Sequence, residues 1–177
     1  MRSIRHILVA ALVLIMHQSA LADAPLPAAG TRQFSCSLNG QWCAESATQR
    51  EGVRVFKRTA GKDALVWSAP TKVYGGATVT NDGACVVVVS VSNLLALNAT
   101  PSDPAFTIVC KDGASNVLSI GKFIADFHAL PHTVSHLRWA ETYGLDQQDH
   151  LSVRTVEGRS FVIDPHNGQL ISGSWVH

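Results

Sequence analysis

The chain is poor in charge: Asp, Glu, Lys and Arg make up 15% of its 177 residues, against about a quarter in an ordinary soluble domain. Without Arg2 and Arg5, 12 Lys and Arg face 13 Asp and Glu. Tracking a phosphate backbone needs a basic patch, so nucleic acid is not an expected partner. After residue 22 no apolar run approaches the roughly 20 residues of a membrane span. No long stretch places apolar residues at helical spacing beyond that point, which disfavours a helical domain. No Cys-x-x-Cys is present to suggest a zinc site, and no Gly-x-Ser-x-Gly to suggest a nucleophile elbow.

The opening residues carry an export signal. Arg2 and Arg5 precede the apolar stretch Ile7 to Met16, and Ala20-Leu-Ala22 has the small residues of a cleavage site. Residues 1–22 are read as a signal peptide, residues 23–33, with two prolines, as an extended leader, and residues 34–177 as one domain. The expected location is periplasmic or secreted. Export permits disulfides, and the four cysteines are Cys36, Cys43, Cys85 and Cys110. Four cysteines allow three pairings, and sequence alone does not choose. A hairpin turning at Asn39-Gly40 would set Cys36 opposite Cys43, favouring 36–43 and 85–110.

Three stretches repeat one pattern: Val53-Arg-Val-Phe-Lys-Arg-Thr-Ala-Gly61, Phe106-Thr-Ile-Val-Cys-Lys-Asp-Gly113 and Phe161-Val-Ile-Asp-Pro-His-Asn-Gly168. Each is a strand-like run, a polar turn ending in Gly, and then a second apolar run. The turn glycines recur about every 50 residues, the spacing of repeat architectures. Leu38-Asn-Gly40 and Asn81-Asp-Gly83 hold matching places in the first two units. In the third, Glu157-Gly158 and Asn167-Gly168 mark successive hairpins. Val86 to Val89 reads as a buried strand. Phe56 breaks the alternation set by Val53 and Val55, which suggests a strand packed on both faces. Gly121 to Pro131 is the least regular stretch, with room for a helical turn at Phe123 to His128.

Leu151 to Ile171, with Asp164 and Gly168, resembles the blade of quinoprotein-type β-propellers. The docking Trp of that pattern would fall at Ser172, so that element is missing. The resemblance implies an all-β fold of about three propeller-like antiparallel sheets. Three are too few to close a ring of four to eight blades, so an open or partial propeller is expected, and oligomers are possible. In size and architecture, and in the run Val79-Thr-Asn-Asp-Gly83, the chain also resembles small periplasmic immunity proteins of type VI secretion systems. That resemblance implies a non-enzymatic inhibitor occluding an exported partner, a toxin or cell-wall amidase.

Candidate chemistry is sparse. His128, His132 and His136 stand four apart, but Pro131 breaks any helix that would align them, so they read as a polar loop and not a metal site. No cofactor is expected. Asp146 and Asp149, or Asp103 and Asp112, form carboxylate pairs without motif context. His150 and His166 lie beside turns and read as solvated. Asn98-Ala-Thr100 matches a glycosylation sequon, with Pro101 directly after it. Trp42, Trp67 and Trp175, with Tyr74 and Tyr143, fit core packing better than an aromatic binding face, and Trp139 is the exception. The expected partner-binding segment is the irregular loop leading to Trp139: Phe127, His128, His132, His136, Arg138 and Trp139, since Arg beside Trp is common at interface hot spots. Rival expectations are a small-molecule or glycan sensor and a scaffold subunit.

Overall fold

The computed structural model describes residues 30–47, 51–60 and 62–176. The expected signal peptide and most of the expected leader lie outside them, while the first strand already begins within the leader at Arg32. Among the described residues fourteen strands run in chain order: β1 (Arg32–Cys36), β2 (Trp42–Ala47), β3 (Glu51–Thr59), β4 (Lys62–Lys72), β5 (Ala77–Val79), β6 (Cys85–Val89), β7 (Leu94–Ala96), β8 (Pro104–Cys110), β9 (Ser115–Ser119), β10 (His136–Arg138), β11 (Ala140–Leu145), β12 (Leu151–Thr155), β13 (Ser160–Ile163) and β14 (Leu170–Ser172). They form three four-stranded antiparallel sheets, β1-β2-β3-β4, β5-β6-β8-β9 and β11-β12-β13-β14, and a two-stranded ribbon of β7 with β10. The fold is all-β, with three propeller-like sheets in an open arrangement.

The three sequence copies occupy one structural place. Each spans the third strand of a sheet, the turn after it and, in continuation, the fourth strand. The first hairpin of each sheet is equivalent too: β1 turns into β2, β5 into β6 and β11 into β12. Antiparallel strands reverse at every turn, so the first and third turns of each sheet emerge at one end. All three sheets therefore contribute to a common turn face.

Packing explains the unequal polarity of the strands. The central sheet is covered on both sides. Val86 and Val88 of β6 join Val53, Val55 and Ala69 in one core. Val87, with Phe106 and Ile108 of β8, faces the other way, into a core with Leu151, Val153, Phe161 and Ile163 of the third sheet. The continuous apolar run of β6 is what two-sided burial demands. The first sheet is covered on one side only, which corrects the expectation of two-sided packing at Phe56. That ring is half-buried, pairs with Phe34 at 6.1 Å between centroids, and lies under the Arg54 guanidinium at 5.7 Å.

Both disulfides form between directly paired strand residues, Cys36 with Cys43 and Cys85 with Cys110. The irregular stretch holds two short 3-10 turns, Ile120–Lys122 and Phe127–Ala129. Here Phe123 is fully buried and touches the rings of Phe106, Trp139, Phe161 and Trp175. Where strand grammar fails, the chain supplies an aromatic plug for the second core.

Candidate site on the turn face

The turns on the shared face are tied side by side. In the first sheet, the Asn39 backbone N–H donates to Asn81 Oδ1 and its Nδ2 to the Asn81 carbonyl, each at 2.8 Å. The Asn81 backbone N–H in turn donates to both carboxylate oxygens of Asp149, at 2.8 and 2.9 Å. The first hairpin turns of the three sheets thus form a row. Gly40 and Gly83 take the left-handed backbone at φ 70° and 71°, and Asp149 takes it at φ 65°. A side chain there costs energy that glycine avoids. Asp149 accepts that conformation while supplying the carboxylate that binds the neighbouring turn.

Beside this row, one histidine joins two sheets. His166, from the turn between β13 and β14, places Nε2 2.9 Å from Asp82 Oδ2 and Nδ1 3.0 Å from Asp164 Oδ1. Thr80 Oγ1 and the Ala84 N–H donate to the other oxygen of Asp82, at 2.6 and 2.8 Å. Asn167 Nδ2 donates to Asp164 at 2.8 Å. The contact with Asp82 first, then the contact with Asp164, raise the His166 pKa above its ordinary 6.5 despite partial burial. Burial opposes the charge of Asp82, but the bonds from Thr80, Ala84 and His166 outweigh it and hold its pKa below 3.8. Asp164 is also lowered: burial opposes its charge, and the bonds from the His166 N–H, the His166 ring and Asn167 prevail. Asp149 moves the other way, raised by burial despite the bond from Asn81, with Asp82 and Asp146 adding repulsion.

The imidazole also lines an open cavity of about 400 Å³. Its floor is Ala84 and the Cys85–Cys110 disulfide, and Lys111 and Asp112 complete the wall. An apolar floor with a few convergent polar groups is the usual make-up of a small-molecule site. Among the described residues no group of three or more His, Cys, Asp or Glu side chains is arranged to hold a metal ion.

The residues expected to bind a partner are placed differently. Trp139 is fully buried, stacks on Tyr143 and donates its indole N–H to the Ser92 carbonyl at 2.6 Å. That corrects its reading as an exposed hot spot: it is core. Arg138 is exposed on β10, beside the half-buried His136, whose Nδ1 lies 2.8 Å from Ser135 Oγ. Phe127 is half-buried and packs on the second core, while His128 and His132 are exposed. The three histidines do not converge. Pairing of β10 with β7, and an isolated bridge from His132 to Leu137, hold the segment against the body. Trp139 is buried in the core between the second and third sheets, and the half-buried Tyr143 and Trp175 pack against it.

Sequence reasoning missed His166, reading it as solvated. The available signal was the repeat: turns at equal places in equal sheets share a face, and Asp82 and Asp164 both lie in such turns.

No protein-family model matches the chain, and no curated protein matches its sequence. Among solved structures it is similar to a Bacteroides fragilis protein named provisionally as a 6-phosphogluconolactonase (11% identity, TM-score 0.43, 82% of this chain and 38% of that one). It is also similar to the periplasmic gluconolactonase of Pseudomonas aeruginosa (14%, 0.38, 86% and 42%). A third is a Bacteroides uniformis protein with the same provisional name as the first (11%, 0.42, 88% and 44%). The chain spans less than half the length of each. These neighbours bear the names of enzymes, and none of the three that of an inhibitor. The expectation of a non-enzymatic immunity-type inhibitor is corrected accordingly. The loop expected to bind a partner ends in the buried Trp139.

Proposed function

We propose that the protein is an exported, periplasmic hydrolase of a small polar ester or lactone, acting in the cavity beside the Cys85–Cys110 disulfide. The observation that carries this reading is His166, held between two carboxylates at the cavity wall. Asp164, itself bonded by Asn167, fixes the ring. Asp82 is the more exposed partner of the ring, at 51% against 29% for Asp164. In the proposed reaction the oxygen of a water molecule attacks the carbonyl carbon, and its proton passes to the Asp82–His166 pair. The carbon–oxygen ester bond then breaks, and the departing oxygen takes up that proton. The products are a carboxylic acid and an alcohol, joined in one molecule when the substrate is a lactone. Acid–base groups placed in this way contribute roughly 10²–10⁴-fold to rate.

Sugar lactones, the substrates in the names of the structural neighbours, are the first to be tried. Hydrolysis of a panel of five- and six-membered lactones is followed by acid release at constant pH. The expected result is turnover that falls about 100-fold or more in His166→Gln and in Asp82→Asn. No turnover above the buffer rate, or unchanged turnover in both variants, would refute the assignment.

A further inference from the structure

A second cavity, of about 490 Å³, opens at the other end of the central sheet. Its position follows from topology: Tyr74 precedes β5, Ser90 follows β6 and Asp103 precedes β8, all opposite the turn face. Its groups differ in kind from those around His166. Among the described residues no cation and a single carboxylate line it, and that carboxylate, Asp103, accepts the Thr100 N–H at 2.8 Å. Leu95, 1% exposed, provides an apolar wall. Tyr74 is 49% exposed and, among the described residues, has no ring or hydrogen-bond partner. The amide of Asn98 is exposed as well and, among the described residues, has no hydrogen-bond partner. The wall is held before any ligand arrives: Ile120 donates to the Asp103 carbonyl at 2.9 Å, Gly121 to that of Pro101 at 2.8 Å, and Gly75 to that of Val89 at 2.9 Å.

We infer that this cavity binds a neutral cyclic polyol, a single sugar ring. A free aromatic face suits the C–H face of such a ring. The Asn98 amide offers both donors and an acceptor to adjacent hydroxyls, and the Ser90 hydroxyl lies deeper. With no cation present, an acidic ligand would enter without a counter-charge, which disfavours it. The volume suits a small molecule. Saturation-transfer NMR on the full chain, with D-glucose, D-galactose and N-acetyl-D-glucosamine as probes, tests the inference. Transfer to the ring protons of at least one sugar is expected, with Kd rising about tenfold in Tyr74→Ala and in Asn98→Ala, and retained in Tyr74→Phe. His166→Gln should leave this binding unchanged, and Tyr74→Ala should leave lactone turnover unchanged, so the two cavities are tested apart. No transfer from any of the three sugars would overturn the assignment. So would an unchanged Kd in Tyr74→Ala with its melting temperature preserved, or loss of binding in His166→Gln.

Discussion

Replacing Gly83 by Ala tests how the turn that carries Asp82 is held. Gly83 sits at φ 71°, and an added Cβ would overlap the Trp42 ring. On its other side the Gly83 carbonyl accepts the Trp67 indole N–H at 2.9 Å. The left-handed conformation alone costs a non-glycine residue about 1–2 kcal/mol, partly offset by the stiffer unfolded chain. Displacing a packed indole adds about 1–3 kcal/mol. Gly40 is the internal control: it has the same turn position and φ 70°, with nothing within 4 Å of an added Cβ. Gly40→Ala should cost about 1 kcal/mol and Gly83→Ala about 3 kcal/mol. At about 3 °C per kcal/mol for a chain of this size, the melting temperatures should fall by about 3 and 9 °C. Thermal unfolding followed by circular dichroism measures both. A Gly83→Ala melt within a degree of Gly40→Ala would refute the claim that the two indoles clamp this turn. Lactone turnover should also fall in Gly83→Ala alone, because Asp82 is its neighbour.

Other consequences are open to direct measurement. Trp139→Ala should cost about 4 kcal/mol in denaturant unfolding, whereas Arg138→Ala, on the exposed side of β10, should stay within about 0.5 kcal/mol; equal effects would return Trp139 to the surface. The Cys85–Cys110 disulfide closes a longer loop than Cys36–Cys43, with separations of 25 and 7 residues. The loop-entropy relation gives about 3.5 and 2.5 kcal/mol for their removal as paired Ser variants, an order that calorimetry would check. The His166 cluster should stabilise the fold most between about pH 4 and 6.5. Asp82 and Asp164 have lowered pKa values, so their contribution is complete above their ordinary 3.8 and is lost as pH falls through the lowered values. His166 is raised, so its contribution is complete below 6.5 and is lost as pH rises through its raised value. Asp149, raised by burial, opposes the others as it ionises. His166→Gln should remove the decline on the alkaline side of that window; a decline that persists would place its origin elsewhere.

Much of the sheet architecture was legible because strands and turns are local. The Asn39-Gly40 turn pairs Cys36 with Cys43 through backbone geometry alone, and the Val86–Val89 run declares a strand buried on both faces. Phe56 misled for a related reason. A sequence shows that a residue is apolar, not whether another sheet covers it, and at this open face a neighbouring ring and a guanidinium cover it instead. Trp139 misled in the same way: an aromatic beside an arginine after an irregular loop matches an interface, but the indole has its partner in Ser92, 47 positions earlier.

The sequence by itself determined the three-unit repeat, the strand polarity and the hairpin that sets Cys36 opposite Cys43, since all depend on neighbours a few residues apart or on burial periodicity. Tertiary structure alone decided the candidate site. Asp82 and His166 are 84 positions apart, and Asn81 and Asp149 are 68; no spacing rule relates them. They meet because sheets of equal construction, packed face to face, bring their corresponding turns to one end. There the unpaired backbone groups of each turn find partners in the turn beside it.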